Sequence, residues 1–317
     1  MTDHAPPGLS LGPGPEFDLI REMLARWGHR AVGVGDDAAV LDVPRGDKLV
    51  VSVDAAIDGR HFKRDWLGAR EIGYRSVTAA LSDLAAMAAH PLGILVALEL
   101  PEARRAALAD LADGIADAVD AVATRILGGN ITASDRLGLT TTVLGSAFAP
   151  LTRSGLEPGH SIYVTGRFGG PGAAVGAWTS GRMPTPEQRE RFARPVARIR
   201  ESLWLADHGA TAAIDVSDGL AADLEHLARA SAVGIDADLS LLPLTPGVID
   251  HIAAAASGEE YELVIGSRVS MDTREFERRF GIPLTEIGHA TSRDGAVQFR
   301  RGHERVAKPE GYDHFSR

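Results

Sequence analysis

The chain has no cysteine among its 317 residues. This absence excludes disulfides, thiolate zinc sites, iron–sulfur clusters and a cysteine nucleophile. Any catalytic or metal-binding chemistry must therefore use oxygen and nitrogen ligands.

The chain also lacks an excess of basic residues and a long apolar run. Its formal net charge is −10 and its pI is about 5.6, which argues against binding to a nucleic-acid backbone. No stretch reaches the roughly 20 uninterrupted apolar residues that a bilayer requires, so we predict no membrane span. Residues 1–15 contain four prolines and three glycines and lack the regions of a signal peptide. They predict a disordered leader on a cytoplasmic protein.

Familiar nucleotide-binding signatures are missing as well. The three lysines of the chain are Lys48, Lys63 and Lys308. None follows the glycine-rich residues 166–172, so these do not form a Walker phosphate loop, and the protein-kinase signatures His-Arg-Asp and Asp-Phe-Gly are absent. Residues 33–38 superficially match the glycine fingerprint of a dinucleotide site, but the carboxylates of Asp36 and Asp37 would repel a pyrophosphate. They indicate a bound cation instead.

Length and composition predict two globular domains, and the helices and strands predicted below indicate the α/β class. A chain of 317 residues with 44% hydrophobic and 24% charged residues is ordinary for two globular domains. Ala149-Pro150, followed by Ser154-Gly155 and Pro158-Gly159, marks a boundary near residue 150. We predict an N-terminal domain over 16–150 and a C-terminal domain over 151–317.

Hydrophobic periodicity predicts alternating helices and strands. The predicted helices are 16–27, 69–89, 102–124, one from near 173, 186–209 divided at Pro195, and one within 212–230. The predicted strands are 49–54, 92–100, 125–132, 137–148, 161–165 and 234–239, with a further strand after the acidic turn 257–262. Asp54 is predicted to end its strand, where open α/β sheets place ligands.

Four stretches share one pattern, in which an apolar run is followed by an acidic residue with small neighbours. They are Asp36-Asp37, Asp54, Ser82-Asp83 and Asp215-Val216-Ser217-Asp218. Each acid singly could be a helix cap. Carboxylates that are brought together repel unless cations lie between them, and hard oxygen ligands suit Mg²⁺. The repeated pattern therefore predicts bound Mg²⁺.

These stretches together resemble the thiamine-monophosphate kinase family, of the superfamily that holds aminoimidazole ribonucleotide synthetase and selenophosphate synthetase. The matching motifs are Gly-Val-Gly-Asp-Asp-Ala-Ala-Val at 33–40, residues 51–62, Leu-Ser-Asp-Leu-Ala-Ala-Met at 81–87, Leu-Thr-Arg-Ser-Gly at 151–155 and Ile-Asp-Val-Ser-Asp-Gly-Leu at 214–220. The resemblance spans nearly the whole chain, and its strength lies in the order of the motifs.

The resemblance implies roles for individual residues. Metal ligands would be Asp37, Ser52, Val53, Asp54, Asp83, Asn130, Asp215 and Asp218, with Asp54 and Asp218 as the catalytic acids. ATP would contact Gly129, Asn130, Arg153 and Ser217. Thiamine monophosphate would contact His61, Glu259 and Tyr312.

The resemblance also implies the reaction and the assembly. The family transfers the γ-phosphoryl group of ATP directly to thiamine monophosphate with several Mg²⁺ ions, which neutralise charge and position the reactants. Its N-terminal domain forms a sheet, binds ATP and pairs in a homodimer, and its C-terminal domain is α/β.

Three departures from the family pattern keep alternatives open. The family's Gly-Gly-Asp-Thr is Gly128-Gly129-Asn130-Ile131 here, its Gly-Gly-Glu-Asp-Tyr is residues 257–261, and its Ala-Met-Gly is residues 86–88. Asn130 replaces a metal carboxylate by an amide. One alternative is another ATP-dependent enzyme of the superfamily, although the missing cysteine argues against two of its members. The other alternative is a non-catalytic nucleotide-binding paralogue.

Overall fold

A computed structural model describes residues 14–32, 34, 38–293 and 295–311. Within them the chain is a mixed α/β protein with two sheets, as predicted. The helices are α1 (Pro15–Trp27), α2 (Ala69–Ala86), α3 (Leu108–Ala121), α4 (Gly170–Thr179), α5 (Pro186–Ala193), α6 (Ile199–Asp207), α7 (Leu220–Ser231), α8 (His251–Ala255) and α9 (Thr273–Phe280). The strands are β1 (Lys48–Ile57), β2 (His90–Leu100), β3 (Ile126–Ala133), β4 (Gly138–Ala147), β5 (Ser161–Thr165), β6 (Ala210–Asp215), β7 (Gly234–Asp238), β8 (Leu263–Ser267), β9 (Leu284–Thr291), β10 (Val297–Arg301) and β11 (Glu304–Val306).

The chain divides into two compact units. The first unit runs through Leu84 and includes Ala89–Ala149, and the second comprises Ala85–Ala88 and the chain from Pro150 onward. The division between Ala149 and Pro150 lies where proline and glycine punctuate the sequence. The assignment of ATP binding and dimerisation to the N-terminal part stays a prediction.

The first unit contains a four-stranded sheet in the order β1-β4-β2-β3. Its helix-covered face is apolar, with Ile94, Leu98 and Val143 at most 1% exposed. Helices α2 and α3 approach closely, because a Cβ on Gly114 would lie 1.9 Å from the carbonyl oxygen of Arg70. The close packing fixes the position of α2, which carries one of the predicted metal acids.

The predicted end of the first strand is wrong. β1 continues through Ile57, because Ala55 to Ile57 keep their antiparallel pairing with Gly138 to Thr140 of β4. Small residues after Asp54 were interpreted as a turn, although a neighbouring strand can hold them extended. Among the strands named above, β2 and β3 are the one pair in this sheet that runs parallel. The rule that parallel sheets bind ligands beyond the carboxyl ends of their strands therefore does not apply to Asp54.

The second unit contains a seven-stranded sheet in the order β11-β10-β7-β9-β5-β8-β6. Between the strands named above, the pairings in this sheet are antiparallel except that of β7 with β10. Leu220, Leu224 and Leu227 of α7 are fully buried in a core with residues of β5, β6 and β8. This packing anchors α7 directly after the acidic loop that ends β6.

Most predicted elements are confirmed, with shifted ends. The long predicted helix 102–124 begins as a 3₁₀ turn and becomes α-helical only at Leu108. The helix expected near residue 173 begins at Gly170, and Pro195 lies between α5 and α6 as predicted. Among the helices of the described residues, none has both the length and the apolarity to cross a membrane.

Candidate active site

The first unit brings together a serine and an acid that were predicted as metal ligands. Oγ of Ser52 in β1 donates a hydrogen bond to Oδ2 of Asp83 in α2 at 2.5 Å. Because side chains alternate along a strand, Asp54 lies on the same face as Ser52. Asp54 is exposed, and its Oδ1 accepts a hydrogen bond from the amide of Ala55 at 2.8 Å. Ser52 and Asp54 thus share one face of β1, and Ser52 contacts Asp83 of α2. A hydroxyl and two carboxylates are hard oxygen ligands of the kind that fits Mg²⁺.

Val53 lies on the opposite face of β1, and its side chain is 62% exposed. An isopropyl group offers no ligand atom, so only the main-chain carbonyl of Val53 could contact a cation. Its place among the metal ligands stays a prediction.

The register places Asn130 away from Asp54. Asn130 aligns with Ala97 of β2, then with Thr140 of β4 and Ala55 of β1, on the face opposite to Asp54. Three strand spacings of about 4.8 Å separate β3 from β1, which amounts to about 14 Å. Asn130 therefore cannot share a cation with Asp54 of the same chain, and its roles in metal and ATP binding stay predictions.

Gly129 has a structural reason to be glycine. A Cβ at this position would lie 2.0 Å from the carbonyl oxygen of Val96 on the neighbouring strand. The resemblance implies that Gly129 contacts ATP, but the adjacent backbone by itself already requires a glycine here. The contact of Gly129 with ATP stays a prediction.

His61 lies in a tight turn that orients its imidazole. The amide of Ile57 donates to Nδ1 of His61 at 3.1 Å, so Nδ1 is an acceptor and the proton is on Nε2. The turn is held by Phe62, which is 1% exposed and whose carbonyl accepts a hydrogen bond from Gly59 at 2.8 Å. An imidazole with its proton on Nε2 is suited to donate a hydrogen bond to a phosphate oxygen.

The same turn borders a pocket of about 450 Å³. The pocket is lined by Asp58, Gly59, Arg60, Arg64, Asp135 and Arg136. One guanidinium, that of Arg64, pairs with Asp58 at 2.5 Å. Three guanidinium groups against two carboxylates give the lining a positive charge, which favours an anionic group.

In the second unit, backbone hydrogen bonds join the acidic loop after β6 to the turn before β8. The amide of Glu259 donates to the carbonyl of Ser217 at 2.7 Å, and that of Tyr261 donates to Val216 at 2.9 Å. Glu259 and Tyr261 have φ angles of 59° and 52°, which non-glycine residues rarely adopt. A predicted ATP-binding residue and a predicted substrate-binding residue therefore meet, and the strained backbone is typical of functional sites.

A buried ionic network supports this turn. Arg198 donates to both carboxylate oxygens of Glu262, at 2.8 and 2.5 Å, and Arg191 lies 3.0 Å from the same carboxylate. Arg191 also donates to the carbonyl of Glu260 at 2.9 Å. Burial raises the pKa of Glu260 to about 7, against the opposing effect of Arg191. The network therefore stabilises the backbone of the turn. The sequence did not indicate the pairing of Arg191 and Arg198 with Glu260 and Glu262.

Asp223 is a buried acid that the sequence analysis did not select. It is 2% exposed on α7, it accepts hydrogen bonds from the amides of Asp218 and Gly219, and its Oδ2 has no hydrogen-bond partner. Burial foremost, and then the charges of Asp215 and Asp218, raise the pKa of Asp223 to about 8. A cation would stabilise a buried, unpaired oxygen beside two further carboxylates, so these residues fit a bound metal ion.

Three further residues were predicted for the site, namely Arg153, Asp37 and Tyr312. Arg153 is exposed, and its carbonyl accepts a hydrogen bond from Oγ of Ser231 at 2.6 Å. Asp37 and Tyr312 lie outside the described residues. Gly311, which precedes Tyr312, packs against the acidic loop, since a Cβ there would lie 2.6 Å from the carbonyl oxygen of Asp218. The roles of all three predicted residues stay predictions.

Comparison with known proteins matches both parts of the chain to one family. Residues 35–147 match the model of the AIR synthase related protein, N-terminal domain, and residues 157–299 match that of the C-terminal domain. A thiamine-monophosphate kinase from Escherichia coli (strain K12) is 34% identical over 327 residues, covering 95% of this chain and 98% of that protein.

Solved structures agree with the sequence comparison. The crystal structure of a thiamine-monophosphate kinase from Stenotrophomonas maltophilia K279a has a TM-score of 0.81 and 31% identity, covering 92% of this chain and 98% of that chain. AaThiL complexed with AMPPCP and TMP has a TM-score of 0.75 and 26% identity, covering 94% and 96%. The likeness extends over nearly the full length of each chain.

Proposed function

The chain belongs to the thiamine-monophosphate kinase family of AIR synthase related proteins, and from this premise we propose that it phosphorylates thiamine monophosphate with ATP. As a kinase it is a phosphotransferase. The products are ADP and thiamine diphosphate. A phosphate oxygen of the acceptor forms a bond to the γ-phosphorus as the bond to the β,γ-bridging oxygen breaks, in line and without a phosphoenzyme.

The observation that carries this proposal is the link between the acidic loop and the strained turn. The 2.7 Å hydrogen bond from the amide of Glu259 to the carbonyl of Ser217 fixes the segment predicted for ATP relative to the segment predicted for the substrate. Phosphoryl transfer between two anions depends mainly on such positioning. Glu262 and Arg198 stiffen the turn, so the positioning does not depend on the substrate to order it.

Phosphoryl transfer between two anions also requires that the negative charge of their phosphates be neutralised. We propose that Ser52, Asp54 and Asp83 hold Mg²⁺ in the first unit, and that Asp215 and Asp218 do so in the second. Bound Mg²⁺ would neutralise phosphate charge and stabilise the leaving diphosphate. The carboxylate oxygens present are the ligands that this cation prefers.

His61 is proposed to bind the substrate phosphate and not to act as a base. The accepting phosphate oxygen is already deprotonated near neutral pH, so no proton has to be removed from it. Because Nδ1 accepts a hydrogen bond from the backbone, Nε2–H is the imidazole group that could donate to a phosphate oxygen. The positively charged lining of the neighbouring pocket supports an anionic ligand in this region.

We also propose a homodimer formed through β1. This strand is an edge of the first sheet, and Leu49, Val51 and Val53 on one of its faces are 51%, 55% and 62% exposed. An apolar edge strand left open promotes association, so a second copy of the chain is its fitting partner. The cytoplasmic location and the absence of nucleic-acid partners stay predictions.

A panel of reactions tests the proposed function against its alternatives. The protein is incubated with ATP and Mg²⁺, with thiamine monophosphate, thiamine or no acceptor, and ADP and thiamine diphosphate are quantified. We expect ADP and thiamine diphosphate in equal amounts with thiamine monophosphate only. ADP release that does not depend on the acceptor would favour another ATP-dependent enzyme of the superfamily, and nucleotide binding without turnover would favour a non-catalytic paralogue.

A further inference from the structure

Three side chains around the start of α7 converge on one point. Asp218 precedes the helix, Asp223 lies in its first turns, and His226 follows three residues later on the same side. One ligand atom from each of the three lies within 4.8 Å of the other two. This arrangement differs from the all-oxygen sets at the other predicted metal acids, because it includes an imidazole nitrogen.

Asp223 gives a second and independent sign of a ligand. Its Oδ2 is buried without a hydrogen-bond partner in a residue that is 2% exposed. The remaining hydrogen-bonding capacity of this carboxylate is taken by the amides of Asp218 and Gly219, which fix its orientation. Leaving such an oxygen unpaired is costly, and a bound cation at the convergence point would satisfy it.

The spacing of the three ligand atoms suits a single ion. Two ligands on opposite sides of a cation with bonds of about 2.1 Å lie about 4.2 Å apart, so a separation of up to 4.8 Å closes with small side-chain rotations. Asp223 is held by backbone amides, and His226 is exposed, so the imidazole is the group that can move.

We propose that Asp218, Asp223 and His226 form a site for a divalent first-row transition metal that accepts both carboxylate and imidazole ligands, for which Mn²⁺ serves as the spectroscopic probe. Mg²⁺ prefers oxygen ligands, whereas imidazole favours first-row transition metals. The inference rests on the proposed function only through Asp218, because Asp218 is also one of the proposed Mg²⁺ ligands. Because His226 supplies a nitrogen ligand, the cluster of Asp218, Asp223 and His226 should prefer a transition metal over Mg²⁺, which the all-oxygen sets of acids should not do.

Pulsed electron paramagnetic resonance of bound Mn²⁺ tests the site directly. Wild-type protein is loaded with one equivalent of Mn²⁺ in excess Mg²⁺, which competes for the all-oxygen sites, and hyperfine coupling to ¹⁴N is recorded. We expect an imidazole ¹⁴N coupling that disappears in His226→Ala and persists in His303→Ala, a matched variant of another exposed histidine. Asp223→Asn should weaken Mn²⁺ binding by about tenfold or more, measured from the signal of unbound Mn²⁺.

Two results would overturn the site. One is the absence of ¹⁴N coupling in the wild type, and the other is a coupling that survives in His226→Ala. A single cooperative thermal unfolding transition would show that His226→Ala and Asp223→Asn fold. Kinase turnover with Mg²⁺ is assayed separately, so normal turnover without ¹⁴N coupling refutes only the site, and ¹⁴N coupling without turnover refutes only the proposed function.

Discussion

Replacing Asp223 by asparagine should remove a pH dependence from the stability of the metal-free protein. Asparagine keeps an oxygen that can accept from the amides of Asp218 and Gly219, but it cannot ionise. In the wild type the pKa of Asp223 is about 8 when folded, against an ordinary value of 3.8. Between these values the folded protein retains a proton that the unfolded chain has released. Raising the pH from about 4 to about 8 therefore destabilises the wild type.

The size of the effect follows from the two pKa values of Asp223. At 1.36 kcal/mol for each pH unit, the interval from 3.8 to about 8 sets a ceiling of about 6 kcal/mol, reached above pH 8. Well below pH 4 the carboxyl group of Asp223 is protonated in both the folded and the unfolded protein, so it adds no pH dependence to the free energy of unfolding. Since native proteins are stable by only about 5–15 kcal/mol, a loss of this size is readily measured.

Thermal unfolding in EDTA at a series of pH values measures the effect. The melting temperature of Asp223→Asn minus that of the wild type should grow steadily from pH 4 to pH 9. Added Mn²⁺ should stabilise the wild type more than the variant at the high end. Asp110→Asn, which changes an exposed acid of α3, serves as the control and should follow the wild type. A difference that stays flat across this pH range would refute the account of Asp223.

Four further predictions concern the proposed reaction and assembly. Asp54→Asn should abolish turnover with little change in melting temperature, because the side chain is exposed; near wild-type turnover at limiting Mg²⁺ would contradict its role. His61→Ala should raise KM for thiamine monophosphate by roughly tenfold and KM for ATP less, and an unchanged KM would remove His61 from the site. Asn130→Asp should lower the Mg²⁺ requirement or raise kcat, and identical Mg²⁺ titrations would exclude Asn130 from the metal ligands. Val51→Lys should shift a dimer to a monomer in light scattering at micromolar concentration, and a monomeric wild type would refute the dimer.

Local patterns predicted the elements better than they predicted the ends of elements. The apolar run before Ser52 and the leucine stripe of α7 each indicated the right structure, because the buried face of an element sets its period. The end of β1 was missed because pairing with β4, and not the propensity of its own residues, extends the strand to Ile57. Such long-range pairing overrides local preference.

The candidate site was predictable to the extent that its residues follow local motifs. Ser52 and Asp83 were each expected to be a metal ligand, and their side-chain oxygens lie 2.5 Å apart. Glu262 and Arg198 meet across 64 residues of chain, and no short motif records that contact. Asp223 could have been found, because it falls three residues after Leu220 on the buried stripe of α7. An acid on such a stripe predicts a paired or metal-bound carboxylate.

The destination of the γ-phosphoryl group distinguishes its transfer to thiamine monophosphate from hydrolysis of ATP. ATP labelled with ¹⁸O in its γ-phosphoryl group is incubated with the protein, Mg²⁺ and thiamine monophosphate, and the products are examined by mass spectrometry. We predict that the labelled group becomes the terminal phosphate of thiamine diphosphate, with one ADP formed for each transfer. Label found only in inorganic phosphate, or left in ATP at saturating Mg²⁺, would contradict it.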